Sequence, residues 1–165
     1  MKNDKASEIK CSHLLQILCL IFFFAVWLSD SFVFKMSTFL SSFVPLAIRI
    51  VISLGIIAIG STLIAKAHRC LFIDKSTSLI TTGIFAHVRH PMYLGIILTY
   101  LGYTVGTLSI LTLFPWFIIL FLYAKIANHE EKMLEERFGK TYLGYKKRVP
   151  KWIPKMKSEV QRNRY

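Results

Sequence analysis

PMYLGIILTYLGYTVGTLSILTLFPWFIILFLYA, residues 91–124, is a run of 34 residues without a charged side chain. As a single α-helix it would be about 51 Å long at 1.5 Å per residue. The hydrocarbon core of a bilayer is only about 30 Å thick, so one helix of this length does not suit one crossing. The stretch therefore predicts two antiparallel membrane helices rather than one.

The dividing point of this hairpin is predicted near Thr107–Leu111, where small and polar residues favour a turn. Pro115 then lies in the first turn of the second helix, where proline is tolerated. The two helices are expected at about 91–107 and 111–128, each just long enough for a thin crossing.

Two further apolar stretches precede the hairpin, at about 12–34 and 43–65. Trp27 lies near the end of the first, as interfacial aromatic residues do. The second has Pro45 in its first turn and carries Arg49, which we expect to extend outward to the membrane boundary.

Composition agrees with a membrane protein, because 54% of the 165 residues are hydrophobic and the mean hydropathy is +0.49. Such values exclude a disordered chain, and the long unbroken apolar runs argue against a small soluble globule. Residues 11–29 are uncharged and end in bulky aromatics, which favours a retained helix over a signal peptide. We predict an all-α polytopic membrane protein of about four transmembrane helices, forming a single domain over 1–165.

The formal net charge of +12 comes from 21 Lys and Arg against 9 Asp and Glu. The N-terminal segment, the polar stretch 66–90 and the tail hold 19 of the 21 basic residues. The positive-inside rule then places both termini and this predicted loop in the cytoplasm. Because the basic residues accompany membrane helices, membrane lipid is the expected partner and nucleic acid is not.

The three cysteines match no disulfide or metal-binding spacing, so no metal site is expected.

The tail after residue 128 combines charged positions with apolar residues at helical spacing. This pattern predicts an amphipathic helix at the membrane surface, broken or bent at Gly139. Its apolar residues are Leu134, Phe138, Tyr142, Tyr145 and Val149.

The hairpin register brings polar residues together at the cytoplasmic boundary. With a turn near residue 110, Arg89, His90 and Tyr93 lie at the depth of Glu130 and Glu131. Taken singly, the His–Pro pair is only a helix start and the glutamates are only a solvated turn. Their convergence at one depth favours a binding site for a polar, zwitterionic ligand.

Two motifs stand out at this boundary: GIFAHVRHPMYLG, beginning at Gly83, and HEEKMLEERFGKTYLGYKKRVPKWIP, beginning at His129. They resemble the isoprenylcysteine carboxyl methyltransferase family and the related membrane phospholipid N-methyltransferases, and the similar region covers about 79–154. The resemblance implies S-adenosylmethionine as methyl donor, bound at the cytoplasmic ends of the last helices.

By this resemblance, six residues belong to or flank the cofactor site. They are Gly83 in the preceding loop, Arg89, His90 and Tyr93, and the acidic pair Glu130 and Glu131. Arg89, His90 and Glu130 are the candidate catalytic residues.

The donor's methionine end carries a carboxylate, which suits a bidentate pair with Arg89, and an ammonium, which suits a glutamate. A carboxylate acceptor needs no general base, whereas an amine acceptor must lose a proton to His90 or a glutamate. The acceptor is expected to be lipophilic. A prenylated protein, an isoprenoid carboxylate, a phospholipid amine and another lipophilic molecule all fit.

Two other functions remain open from the sequence. One is an NADPH-dependent membrane reductase, because sterol reductases share a similar C-terminal arrangement. The other is a non-enzymatic adaptor whose basic tail binds anionic lipid, each Lys or Arg near the surface contributing about 1 kcal/mol.

Overall fold

The computed structural model describes residues 2–73 and 78–153, with side chains described from 14–71 and 78–153. The described chain is helical and contains no strand. The α-helices are α1 (Lys2–Leu28), α2 (Leu46–Ile73), α3 (Pro91–Thr107), α4 (Leu113–Phe138) and α5 (Lys140–Arg148). A π-helical segment, Ser29–Phe34, extends α1, and 3-10 turns occupy Phe39–Ser42 and Gly83–Ala86.

The α2–α3 contact is a close approach of two helices through small residues. An ideal Cβ on Gly95 would lie 2.6 Å from the carbonyl oxygen of Gly60, and one on Gly102 would lie 2.5 Å from Ile57. Ser53 adds a hydrogen bond from its hydroxyl to the Gly102 carbonyl, 2.8 Å. Small residues at a membrane-type interface let backbones approach and gain van der Waals contact.

A buried aromatic and aliphatic cluster joins α1 to the α3–α4 hairpin. Its buried members are Phe23, Ile97, Tyr100, Ile119 and Tyr123. The Phe23 and Tyr100 rings meet edge to face, 4.6 Å between centroids, a favoured geometry for aromatic pairs. This packing fixes the two hairpin helices side by side.

The hairpin turn begins at Leu108, which caps α3 with φ of +53°. Asp30 is fully buried beside this turn and accepts hydrogen bonds from the hydroxyls of Ser37 and Ser109. The Leu111 backbone N–H donates to the Ser37 hydroxyl, 2.8 Å. The end of the first apolar helix and the hairpin turn are thus fastened together.

Arg49 directs its guanidinium toward the C-terminal end of α3, where Nη1 donates to the Gly106 carbonyl at 3.4 Å. A cation is favourable at that position, because the last carbonyls of a helix carry partial negative charge.

The predicted hairpin agrees with α3 in both bounds, and α4 begins within two residues of its predicted start. Two predicted ends are wrong. The helix expected to end near 65 continues to Ile73, and the one expected to end near 128 continues to Phe138. The α4 extension, residues 129–138, is rich in Glu, Lys, Met and Leu, and the α2 extension, residues 66–73, contains Lys, Ala, Arg and Leu. These residues have high helix propensity and continue a helix beyond its apolar segment.

Within residues 2–73 and 78–153, two helical segments are long and apolar enough to cross a membrane, Leu14–Phe34 and Leu46–Leu71. Most of each is exposed on the protein surface, as lipid-facing helices require. The predicted crossings by α3 and α4 remain a prediction.

Candidate functional site

The candidate site lies where the N-terminal end of α3, the C-terminal half of α4 and α5 meet. Gly139 separates α4 from α5 with φ of +51° and ψ of −125°, a conformation that glycine adopts readily. The chain after α5 returns to the start of α3, because the Arg89 N–H donates to the Pro150 carbonyl at 3.0 Å. The break that the sequence predicts at Gly139 is present.

Glu131 is the centre of an ion-pair cluster beneath this junction. Its Oε1 lies 2.9 Å from Arg89 Nη2 and 3.1 Å from His90 Nε2, and its Oε2 lies 3.3 Å from Lys146 Nζ. Only 5% of the residue is exposed. Burial raises the pKa of Glu131, but Arg89 and Lys151 outweigh it and hold the pKa below its usual value. The carboxylate is therefore charged and internally paired.

Arg89 fastens α5 to this cluster. Its Nη1 donates to the carbonyls of Lys146 and Val149, 2.8 Å each, while Nε and Nη2 donate to Glu131. These bonds engage every N–H of the guanidinium except one on Nη2. The carbonyls belong to the C-terminal end of α5, where a cation is favourable.

Glu130 has different surroundings from its neighbour. Its Oε2 lies 3.5 Å from His90 Nδ1, and 42% of its side chain is exposed. Burial raises its pKa, yet His90 and the Tyr93 hydroxyl hold the pKa below its usual value. The His90 and Tyr93 rings are stacked, with centroids 5.6 Å apart. The Glu130 carboxylate is thus held in place by His90 and Tyr93 but stays accessible to a ligand.

A cavity of about 240 Å³ opens beside Glu130. This is just below the usual range of about 300–1,000 Å³ for small-molecule sites. Its walls are mainly apolar, with a few polar groups. The apolar wall includes Phe85, Leu134, Phe138 and Tyr142, and the polar groups include Arg89, His90, Tyr93, Glu130 and Arg137.

The second wall of the cavity is held by α5. Tyr142 and Tyr145 are buried against Leu134 and Phe138, and the Tyr145 hydroxyl donates to the Phe85 carbonyl at 2.7 Å. Burial raises the pKa of Tyr145 to about 12. The apolar face of the predicted tail helix thus covers the cavity, and its contact with a membrane surface stays a prediction.

The structure brings together Arg89, His90, Tyr93 and Glu130 at the cavity, as the hairpin register predicts. Glu131 lies beneath them and does not line the cavity. Gly83 is also outside the lining, exposed in its 3-10 turn with φ of +60°.

Arg137 also lines the cavity, although it is not among the site residues predicted from the sequence. The available signal is its spacing, since it lies seven residues after Glu130 and so shares that residue's face of α4.

The fold and site define a helical, membrane-type protein with a small-molecule cavity at one end of a helical hairpin. Residues 46–141 match the family described as phospholipid methyltransferase, and this region covers more than half of the chain. The chain therefore belongs to that family.

Curated relatives carry the name protein-S-isoprenylcysteine O-methyltransferase. The one from Schizosaccharomyces pombe is 37% identical over 83 residues, 49% of this chain and 35% of the relative. Form B from Arabidopsis thaliana is 29% identical over 82 residues, 49% and 42%. The one from Mus musculus is 34% identical over 87 residues, 48% and 29%.

The matched region thus spans less than half the length of each of these relatives. No solved structure matches the chain significantly.

Proposed function

We propose that this protein is a membrane methyltransferase that moves a methyl group from S-adenosylmethionine to a lipophilic acceptor. The observation that carries the proposal is the cavity at the end of the hairpin, with Glu130, His90 and Tyr93 on one wall. The names of the relatives favour a prenylcysteine-type carboxylate as acceptor, and they favour a methyltransferase over a reductase or a lipid-binding adaptor.

The residues at the cavity fit such a donor chemically. Glu130 supplies a half-exposed anion for the ammonium group or the ribose hydroxyls of the donor. Phe85, Phe138 and Tyr142 supply an apolar aromatic surface for the donor's adenine ring. When bound, S-adenosylmethionine supplies an electrophilic methyl group, whose bond to sulfur breaks as its bond to the acceptor forms.

The chain's own contribution is positioning and exclusion of water. His90 bridges Glu130 and Glu131 through its two ring nitrogens, which orients the Glu130 carboxylate. Arg89 anchors α5, and α5 covers the cavity with Tyr142 and Tyr145. Holding two reactants in line converts a bimolecular step into an effectively unimolecular one, with effective molarities of about 10⁵ M or more in favourable cases.

A carboxylate acceptor requires no proton transfer, because its oxygen attacks as an anion and the product is a neutral ester. An amine acceptor would have to lose a proton, and among the cavity residues His90 and Glu130 are the groups placed to take it. Methyl transfer to a carboxylate therefore requires no general base in this site, whereas transfer to an amine does.

The proposed setting is a multi-pass membrane protein with both termini on the cytoplasmic side. The described basic residues of the tail, as far as Lys151, lie at the same end of the hairpin as the cavity, so a water-soluble donor would enter from the cytoplasm. An acceptor anchored in the bilayer would reach the cavity from the membrane boundary.

The test is transfer of a labelled methyl group from S-adenosylmethionine to a membrane lipid extract and to a prenylcysteine, using the full chain in lipid vesicles. Glu130→Gln should reduce transfer at least tenfold, because a charged hydrogen-bond acceptor is lost. Glu136→Gln, on the exposed surface of α4, is the matched control. Absence of transfer to any acceptor, with no donor binding, would contradict the proposal.

A further inference from the structure

We propose that Arg137 binds the carboxylate of the methyl donor's amino-acid end, the role that the sequence pattern gives to Arg89. This inference rests on the proposed function. It assigns a specific ligand group to a residue outside the six that the resemblance places at the cofactor site.

Arg137 is a cation at the cavity without an anionic partner. It lines the cavity, and no carboxylate of the described residues lies within ion-pair distance of its guanidinium. Its contact is with the Phe138 ring, 5.2 Å from the ring centroid. A guanidinium is attracted to the face of an aromatic ring, and this contact leaves its N–H groups available for a ligand.

Arg89 is much less suited to the same task. Its guanidinium already donates to Glu131, Lys146 and Val149, and its side chain is only 9% exposed. A bidentate pair with a carboxylate needs two N–H groups side by side, and Arg89 has one remaining. Recruiting it would also uncover the buried charge of Glu131, which is costly.

The placement of Arg137 relative to Glu130 suits a zwitterion. Seven residues span about 10.5 Å along an α-helix and return to nearly the same face. Leu134 lies between them and supplies the apolar floor. The donor's ammonium and carboxylate share one carbon atom, so the long arginine side chain must reach back along α4 toward Glu130. An arginine is suited to that reach because its stem is flexible and its head is planar.

The positive charge of Arg137 should also affect which forms of the donor bind. With Glu130 and Arg137 both present, the cavity offers one anion and one cation to the ligand. A donor that lacks the carboxylate would leave the guanidinium without a partner on binding. The site should therefore discriminate S-adenosylmethionine from its decarboxylated analogue.

The experiment is calorimetric titration of the full chain in lipid nanodiscs with S-adenosylmethionine and with decarboxylated S-adenosylmethionine. Arg137→Gln is compared with Lys132→Gln, which removes the same charge from an exposed position of α4 outside the cavity lining. Arg137→Lys keeps the charge without the planar fork.

We expect Arg137→Gln to weaken S-adenosylmethionine binding about 10- to 100-fold, the usual loss for a charge-assisted pair. Binding of the decarboxylated analogue should stay within about twofold of the wild-type protein. Arg137→Lys should recover part of the loss, and Lys132→Gln should bind both ligands as the wild-type protein does.

Equal loss of both ligands in Arg137→Gln, or no loss of either, would overturn the inference while leaving the proposed function intact. A raised KM for a carboxylate acceptor with unchanged donor binding would also overturn it, and would give Arg137 to the acceptor. A wild-type protein that binds neither donor form would refute the proposed function itself, and the inference with it.

Discussion

Glu130 and Glu131 are adjacent in the sequence but have different tasks in the structure. Glu131 is enclosed by three cations and the imidazole of His90, whereas Glu130 keeps 42% of its side chain exposed beside the cavity. Adjacent positions on a helix point about 100° apart, so one carboxylate can face the interior while the other faces a ligand. Stability and binding are therefore expected to separate between the two residues.

Replacing Glu131 with glutamine should destabilise the fold by about 3 kcal/mol, because Arg89 is left buried without its counter-ion. Thermal unfolding in detergent measures the loss. Glu130→Gln and Glu136→Gln serve as controls, since neither leaves a buried cation unpaired. A Glu131→Gln midpoint equal to that of Glu136→Gln would contradict the role given to this cluster.

The same cluster predicts how stability depends on pH. The pKa of Glu131 lies below its ordinary value of 4.5 in the folded protein. A carboxyl with a depressed folded pKa stabilises the fold above its unfolded pKa and loses that contribution as pH falls through the folded pKa. The unfolding midpoint should be flat near neutral pH and fall below about pH 4.5. Glu131→Gln should show a smaller fall, and an identical profile would count against the assignment.

At the scale of elements, the α2–α3 contact depends on glycine at defined positions. Gly95→Ala would place a Cβ 2.6 Å from the Gly60 carbonyl oxygen and should destabilise the protein by about 1–3 kcal/mol. Gly55 is the matched control, since a Cβ added there would have no neighbouring atom within 4 Å. Gly55→Ala should be neutral or slightly stabilising, because alanine is the better helix former.

Unfolding midpoints of both variants in detergent decide this prediction. If Gly95→Ala and Gly55→Ala unfold at the same temperature, the two helices do not approach as closely as described.

The α3 helix was predictable from the sequence because its limits are local. Pro91 is suited to the first helical position, and a small, polar segment follows Thr107. The continuation of α2 and α4 past their apolar runs was not, because the change in polarity at the end of each run does not end the helix. Charged residues such as Lys66 and Glu135 continue a helix as readily as they begin a loop.

The hairpin register predicts which residues of the candidate site lie at the same depth along the two helices. Arg89 meets Glu131 and His90 meets Glu130, as the register of two antiparallel helices joined by one turn requires. The position of α5 decides which of these side chains are fully hydrogen-bonded within the protein, because carbonyls at its C-terminal end accept hydrogen bonds from Arg89. Backbone partners of this kind leave no signal in a sequence. Arg137 is a different case, because its spacing of seven residues from Glu130 places both residues on one face of α4 and was available as a signal.

The whole molecule has two chemically different ends. At one, Asp30, Ser37 and Ser109 form a closed set of hydrogen bonds that joins the segment after α1 to the hairpin turn. At the other, the hairpin helices end in the charged cluster and the cavity. The same pair of helices thus fixes one end and presents the other to a ligand.

The connection between the segment after α1 and the hairpin turn also bears on whether the hairpin crosses a membrane. The hairpin turn is hydrogen-bonded to Ser37, which follows the first candidate span, so both lie at one level. If α1 crosses a bilayer, the 17 residues of α3 cross it as well, rising about 25 Å. We therefore predict that the turn near Leu111 and the segment containing Ser42 share one side, and that Lys132 lies on the other.

Cysteine labelling in sealed vesicles checks this arrangement, after the native cysteines are replaced by serine. Ser42→Cys, Leu111→Cys and Lys132→Cys are all at exposed positions, so each should react once a membrane-impermeant maleimide can reach it. Ser42→Cys and Leu111→Cys should be labelled from the same side, and Lys132→Cys only from the opposite side. Because positive residues favour the cytoplasm, the Lys132 side should be cytoplasmic. Labelling of Leu111→Cys together with Lys132→Cys would mean that the hairpin does not cross, and the cavity would then lie on a membrane surface rather than at the end of a bundle.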